Sequence, residues 1–405
     1  MEPAADPRLH EYARLTVRVG LNLQPGQRLA INGFVEHHPF VRAVAAAAYE
    51  AGASHVDVLY SDQLVRHSHI EHAGDDTLGW SPPWLVERIE ALIADGGALL
   101  SVAGNPQPDL FGDLDGTRVA GAQMRELRQA TLRVTDGSNN WCIVGYPTEG
   151  WASAVFGEPD VERLWEAVAT TVRLDEPDPV AAWEEHMTKL EQRARALDAR
   201  RFDAIRYRGP GTDLVVGLHP DSEWQAANDM SRGIRHVPNM PTEEVFTTPD
   251  ARRVDGTVRA TYPLVLHGTI VRGLEVSFAN GRVTEVRAEA GEELMRAHAA
   301  TDEGAGRLGE IALVDRHSRV GRTGVVFLET LYDENAASHI ALGNAILQAV
   351  DVEGLSAEER QARGVNSSSI HTDFMIGSEE LGVWGVDADG AETPILEGGE
   401  WVLPT

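Results

Sequence analysis

One cysteine, Cys142, and one lysine, Lys189, are all that this 405-residue chain holds of those two residue types. A lone cysteine can form neither an intramolecular disulfide nor a thiolate zinc site, so a reducing compartment is the expected setting. The lone lysine prunes chemistry differently. A Walker phosphate loop needs a Gly-rich turn that ends in lysine, whereas Lys189 sits in the helical pattern EEHMTKLEQ. A Schiff-base mechanism has no second amine side chain to draw on. Long apolar runs are missing too, and none approaches the roughly 20 residues that span a bilayer. The N-terminus, MEPAADPRLHEYARL, lacks a basic region followed by an apolar core, so no signal peptide is expected. A soluble, cytoplasmic protein without a membrane partner is predicted. Positive charge is also scarce, and the formal net charge is −28. Nucleic acid needs a basic face and is excluded as a partner on that ground.

The chain is 42% hydrophobic and is interrupted by 39 Gly and 20 Pro, a composition that suits two folded domains. Its first half alternates helix and strand patterns. LHEYARLTVRV, FVRAVAAAAYEAG, WLVERIEALIADGG and VAGAQMRELRQATLRV read as helices, whereas RLAING, HVDVLYS, ALLSVAG and WCIVGYP read as strands. Such alternation predicts parallel strands with helical crossovers. Helical stretches near 158–173 and 179–198 follow. The second half changes character. FDAIRYRGPGTDLVVGLHP holds two β-rich runs around a Gly-Pro-Gly turn, and 257–288 reads as a meander with an Asn280–Gly281 hairpin turn. Helical patterns are expected near 290–299 and 335–350. An α/β domain with a mainly parallel sheet is therefore predicted over 1–190. An α+β domain rich in antiparallel strands, carrying a metal site, is predicted over 191–405.

Four segments of the second half bear candidate ligands. His371 and Asp373, in SSSIHTDFMIG, are two apart in a predicted strand, which places both side chains on one face. Glu334 and His339, in YDENAASHIALGNAI, are five apart, which is not one helical face. Glu334 is therefore expected in a loop and His339 in the first turns of a following helix, with Asn335 as a cap. Glu243 and Glu244, in NMPTEEVFTTP, form an acidic pair of which only one can face a site. Glu310, in GRLGEIALV, opens an apolar strand. Each segment alone has an ordinary reading as polar surface, and all four must be ordinary for this half to be chemically silent. Together they supply oxygen-rich ligands and two imidazoles without a thiolate. That set suits a pair of divalent hydrolytic metals sharing a water and a carboxylate.

Other clusters are weaker. His67, His69 and His72 in RHSHIEH, like His37–His38, read as polar loop histidines, and Asp387-Ala-Asp389-Gly390 reads as a turn. The fingerprints Gly-x-Ser-x-Gly, His-Glu-x-x-His and Gly-x-Gly-x-x-Gly are absent.

NMPTEEVFTTP, RLGEIALV, LYDENAASHIALG and NSSSIHTDFMIGS, in this order, resemble the signature segments of the thermophilic aminopeptidase T and aminopeptidase S family of metallopeptidases. YPTEGWA, PGTDL, DGTVRATYPLVLHG and GEELMRAHAATDEGAGRLGE extend the resemblance over most of the chain. It implies a homodimer of two-domain subunits with a co-catalytic pair of divalent ions, zinc, cobalt or manganese. The implied ligands are Glu244, Glu310, Glu334, His339, His371 and Asp373, and only the resemblance selects Glu244 over Glu243. Glu310 is assigned a bridging or base role. The implied reaction is hydrolysis of N-terminal residues from small peptides.

Two departures stand out. A tyrosine general in the family, seven residues after the histidine, is here Ile346, and a Trp-Gly-Gly segment is here Trp224-Gln225-Ala226-Ala227. Ile346 motivates an alternative, a specialised hydrolase acting on the amide of one metabolite. A further alternative takes His339, His371 and Asp373 as a two-His-one-carboxylate iron set, since this superfamily resembles an iron dioxygenase that opens dihydroxypyridine rings. The three glutamates are surplus to such a site.

Overall fold

The computed structural model describes residues 6–352 and 354–405, so the first five residues of the N-terminal stretch lie outside the described residues. The chain divides into two compact units. The first comprises Met1–Glu185, Asn228–Thr242 and His267–Thr269, and the second His186–Ala227, Glu243–Leu266 and Ile270–Thr405. A single cut near 190 does not separate them, because two later segments return to the first unit.

The first unit is built on a parallel sheet of β1 (Arg28–Phe34), β2 (His55–Ser61), β3 (Ala98–Ala103), β4 (Trp141–Gly145) and the short β5 (Asn239–Met240), in the order β2-β1-β3-β4-β5. The predicted alternation is thus realised, with helices that bury apolar side chains between successive strands. Helix His38–Glu50 buries Phe40, Val41, Val44 and Ala48, and Pro83–Ala94 buries Ile89 and Leu92. Local chemistry sets helix ends. Asp160 caps Val161–Thr171 by accepting the Arg163 N–H at 3.0 Å, and Gly157, at φ 78°, ends Glu149–Phe156 in the left-handed region.

Two helix assignments change. The 119–134 stretch is two helices, Gly116–Gly121 and Arg125–Arg133, capped separately at Asp115 and Met124. The RHSHIEH histidines lie on helix Gln63–His72 rather than in a loop. Asp62 starts that helix by accepting the Leu64 and Val65 N–H groups, and the surrounding charges had masked its single buried residue, Ile70.

The second unit is mainly antiparallel. Its larger sheet has eight strands, beginning with the hairpin Ala204–Gly209 and Thr212–Leu218. The pair Glu275–Ala279 and Arg282–Arg287 is joined at Asn280 and Gly281, both at positive φ, the conformation that an Asn-Gly hairpin turn requires. A second sheet holds four strands: β6 (Glu244–Thr247), β7 (Leu308–Val314), β8 (His339–Gly343) and β9 (His371–Met375), in that order. Here the expected helix over 335–350 fails. HIALG is a strand between β7 and β9, buried along its whole length. A short apolar run buried on both faces has no period to separate it from a helix, and that is why the pattern misled. Gly343, at φ 107°, closes the strand. A Cβ there would lie 2.1 Å from the Ile370 carbonyl, so glycine is required for β9 to approach.

Candidate metal centre

Strand register decides which side chains meet. Across β6 and β7, Glu244 pairs with Val314 and Phe246 with Ala312. Across β7 and β8, Ala312 pairs with His339 and Glu310 with Ala341. Across β8 and β9, His339 pairs with Met375, Ala341 with Asp373 and Gly343 with His371. Paired residues of an antiparallel sheet point to the same face, and so do residues two apart. Glu244, Glu310, His339, His371 and Asp373 therefore share one face. Between them stand Ala312, Ala341 and Gly343, side chains too small to fill the space. The opposite face carries Val245, Ile311, Leu313, Ile340, Leu342 and Phe374, all buried. The register that packs an apolar core on one side thus gathers carboxylates and imidazoles on the other.

Glu334 reaches the cluster from outside the sheet. It lies in the turn after the short helix Thr330–Asp333, as that helix's C-cap, and its carbonyl accepts from His339 Nδ1 at 2.9 Å. His371 Nδ1 is held likewise by the Asn344 carbonyl at 2.8 Å. A carbonyl only accepts, so both rings carry their proton on Nδ1 and turn Nε2 toward the acids. His339 Nε2 lies 3.1 Å from Glu244 Oε2, and His371 Nε2 lies 3.0 Å from Glu310 Oε2 and 3.5 Å from Asp373 Oδ1.

Potential ligand atoms fall into three groups, each within 4.8 Å: Glu244, Glu310 and His339; Glu310, His371 and Asp373; Glu334, His339 and Asp373. Glu310 is common to the first two groups. All six residues singled out in the sequence thus come together. Glu243 does not join them, and its side chain instead lies 3.8 Å from His186 Nε2.

The electrostatics are those of buried acids and imidazoles held close together. Burial raises Glu334 well above the usual carboxylate range, and the charges of Asp373 and Glu244 push the same way. Burial also raises Glu310, against the hydrogen bond from His371. Burial alone pulls His339 down, but Glu244, Asp373 and Glu310 outweigh it and raise the imidazole to about 10. His371 rises for the same reason, chiefly through Asp373. Asp373 is lowered, because His371 outweighs its burial.

The donor set fits divalent cations by its chemistry. Glu244 Oε2 and Asp373 Oδ1 are buried and accept no hydrogen bond of good geometry, although an imidazole lies near each. Buried anionic oxygens left so are costly unless a cation serves them. Four carboxylates around two oriented Nε2 atoms offer hard oxygen ligands and borderline nitrogens. A separate cavity of about 350 Å³ is lined by Tyr262, Arg316, His317 and Ser338 among others, and none of the six residues lines it.

Supporting contacts were not foreseen. His298, on helix Glu292–His298, meets Thr372 Oγ1 at 2.8 Å, between the two β9 ligands. Asp302 accepts from Ser368 Oγ and from the Ser369 N–H and Oγ at 2.7–2.8 Å, which fixes the approach to His371. Each joins distant segments, and local pattern carries no such signal.

Similarity to known proteins extends over nearly the whole chain. The family described as "Thermophilic metalloprotease (M29)" matches residues 5–401. Aminopeptidase T of Thermus thermophilus is 45% identical over 404 residues, 98% of each chain. The solved structure of wild-type AmpT from Thermus thermophilus superposes with a TM-score of 0.90 at 42% identity, covering 98% of this chain and 100% of that one. The 2,5-dihydroxypyridine dioxygenase of Pseudomonas putida KT2440 has a TM-score of 0.56 at 12% identity, covering 99% of both chains, a likeness of fold alone.

Proposed function

The chain belongs to the thermophilic metalloprotease family M29, and from that premise we propose that it is a metal-dependent aminopeptidase. Its metal site is the ligand face of the four-stranded sheet. The carrying observation is the pair of imidazoles with Nδ1 tied to carbonyls and Nε2 turned into buried carboxylates. We assign Glu244, Glu310, Glu334, His339, His371 and Asp373 as the ligands of two divalent ions. Three overlapping ligand groups, two of them sharing Glu310, support a pair rather than a single ion.

Two such ions would supply Lewis-acid polarisation of a carbonyl and a water of lowered pKa. The residues of the chain do the rest. The Glu334 and Asn344 carbonyls hold the Nδ1 protons and so keep each Nε2 lone pair directed inward. The apolar far side of the sheet fixes the register that spaces the acids. Glu310, held 3.0 Å from His371 Nε2, takes the bridging or proton-accepting role.

The same reading takes zinc, cobalt or manganese as the ions, small peptides as substrates, a homodimer as the assembly and the cytoplasm as the setting. Among the described residues, no helix is long and apolar enough to cross a membrane. The three glutamates and the M29 match give the iron and single-metabolite alternatives no support. The test is release of amino acids from short peptides by chelator-treated protein, with Zn, Co or Mn restored. Stepwise release from the N-terminus is expected only with metal. Absence of metal-dependent turnover on any N-terminal residue would overturn the proposal.

A further inference from the structure

Five of the six ligands are placed by strand register, and Glu334 is not. Its distance from Glu244 depends on whatever ties the end of helix Thr330–Asp333 to the start of β6. The His339 imidazole ties the Glu334 carbonyl to β8 and reaches β6 only at the Glu244 side chain, 3.1 Å from its Nε2, with no link to the backbone that leads into β6. That link is made by Asn335, which is fully buried. Its Oδ1 accepts the Glu243 N–H at 2.6 Å, one residue before Glu244. Its Nδ2 donates to the Leu331 carbonyl at 2.9 Å and lies 3.5 Å from Glu334 Oε1. One amide thus fixes the residue before one ligand and the turn that carries the other.

We propose that Asn335 is a positioning residue for the metal pair, holding Glu334 and Glu244 at their working separation through its bonds to Glu243 N–H and Leu331 C=O. This rests on the ligand assignment above. An aliphatic side chain at 335 would leave the buried Glu243 N–H without that acceptor and free the helix end to shift. The geometry of the Glu334 carboxylate then loosens while the sheet remains. Groups that orient ligands in this way typically change metal affinity or activity by about 10–100-fold.

The experiment compares full-length wild type, Glu310→Ala, Asn335→Ala and Asn335→Asp. Each is stripped with a chelator and titrated with Co²⁺, and the readouts are stoichiometry, affinity, the visible Co²⁺ spectrum and the melting temperature without metal. For Asn335→Ala, about 10–100-fold weaker binding of at least one Co²⁺ and an altered spectrum are expected. Asn335→Asp keeps the acceptor for Glu243 N–H but turns a carboxylate oxygen toward the Leu331 carbonyl and Glu334 Oε1, so weaker Co²⁺ binding is expected from it too, and it carries the test if the alanine chain does not fold. A lower melting temperature with wild-type affinity and spectrum in the variants would reduce Asn335 to a structural role and overturn the inference. If wild type binds no Co²⁺, or Glu310→Ala binds like wild type, the ligand assignment itself has failed.

Discussion

The two sheets handle burial in opposite ways. In the parallel sheet, β3 runs Ala98-Leu99-Leu100-Ser101-Val102-Ala103 and hides aliphatic side chains on both faces. In the four-stranded sheet, β7 is buried at every residue and yet carries Glu310 in its middle. A parallel sheet between helices has a stability reason for each buried residue. No such reason covers three carboxylates on one face of the second sheet with Glu334 brought in beside them, since each costs free energy unless a cation meets it. The second sheet accepts a local cost on one face and recovers it from the apolar face behind.

The largest effect expected from breaking this contrast is at Glu310. Glu310→Ala removes one of the two acids, Glu310 and Asp373, that each belong to two ligand groups. Metal binding and peptide turnover should both fall by more than the roughly 100-fold seen when only an orienting group is lost, as metal titration and product release would measure. Next is Ala341→Leu, which fills the gap between Glu310 and Asp373 while leaving every ligand in place. Overpacking of about 1–3 kcal/mol is expected there, together with roughly tenfold or greater loss of metal affinity. Wild-type affinity would show that this gap is not where the ions sit.

The converse change tests the other sheet. Ile31→Ala on β1 should lower unfolding free energy by about 2–5 kcal/mol in denaturant titrations and leave metal affinity of the folded protein unchanged. A milder effect is the pH dependence of the metal-free form. His339 is raised to about 10 from 6.5 in the folded state. Its contribution to stability is thus complete below 6.5 and lost as pH rises to about 10. Glu310 and Glu334, also raised, act in the same direction from lower pH. Chelated protein should melt at lower temperature as pH rises across that window. Metal-loaded protein should resist the drop, because the ions need the protons gone. The smallest expected change in metal affinity is that of Ile346→Tyr, which should leave it unaltered while peptide turnover rises. A large gain in peptide turnover would count against a single-metabolite specialisation, and no gain would count for it.

What the sequence revealed follows the same division. Helix–strand alternation in the first unit was legible because amphipathic crossovers and buried strands have distinct periods. His371-x-Asp373 was legible because a period of two puts both on one face. The strand that carries His339 was not legible, since the Ile340-Ala341-Leu342 run that follows it is buried on both faces and has no period. The tie through Asn335 was invisible beyond a possible helix cap, because Glu243 lies 92 residues away. Contacts of His298 and Asp302 were hidden for the same reason. Ligand identity resided in local segments, whereas ligand geometry resided in the pairing of distant ones.

Anomalous diffraction from crystals loaded with zinc, cobalt or manganese tests the metal centre most directly. Two peaks per chain are expected on the ligand face of β6–β9, one toward Glu244 and His339 and one toward His371 and Asp373, with Glu310 between them. A single peak, or peaks remote from these residues, would contradict it.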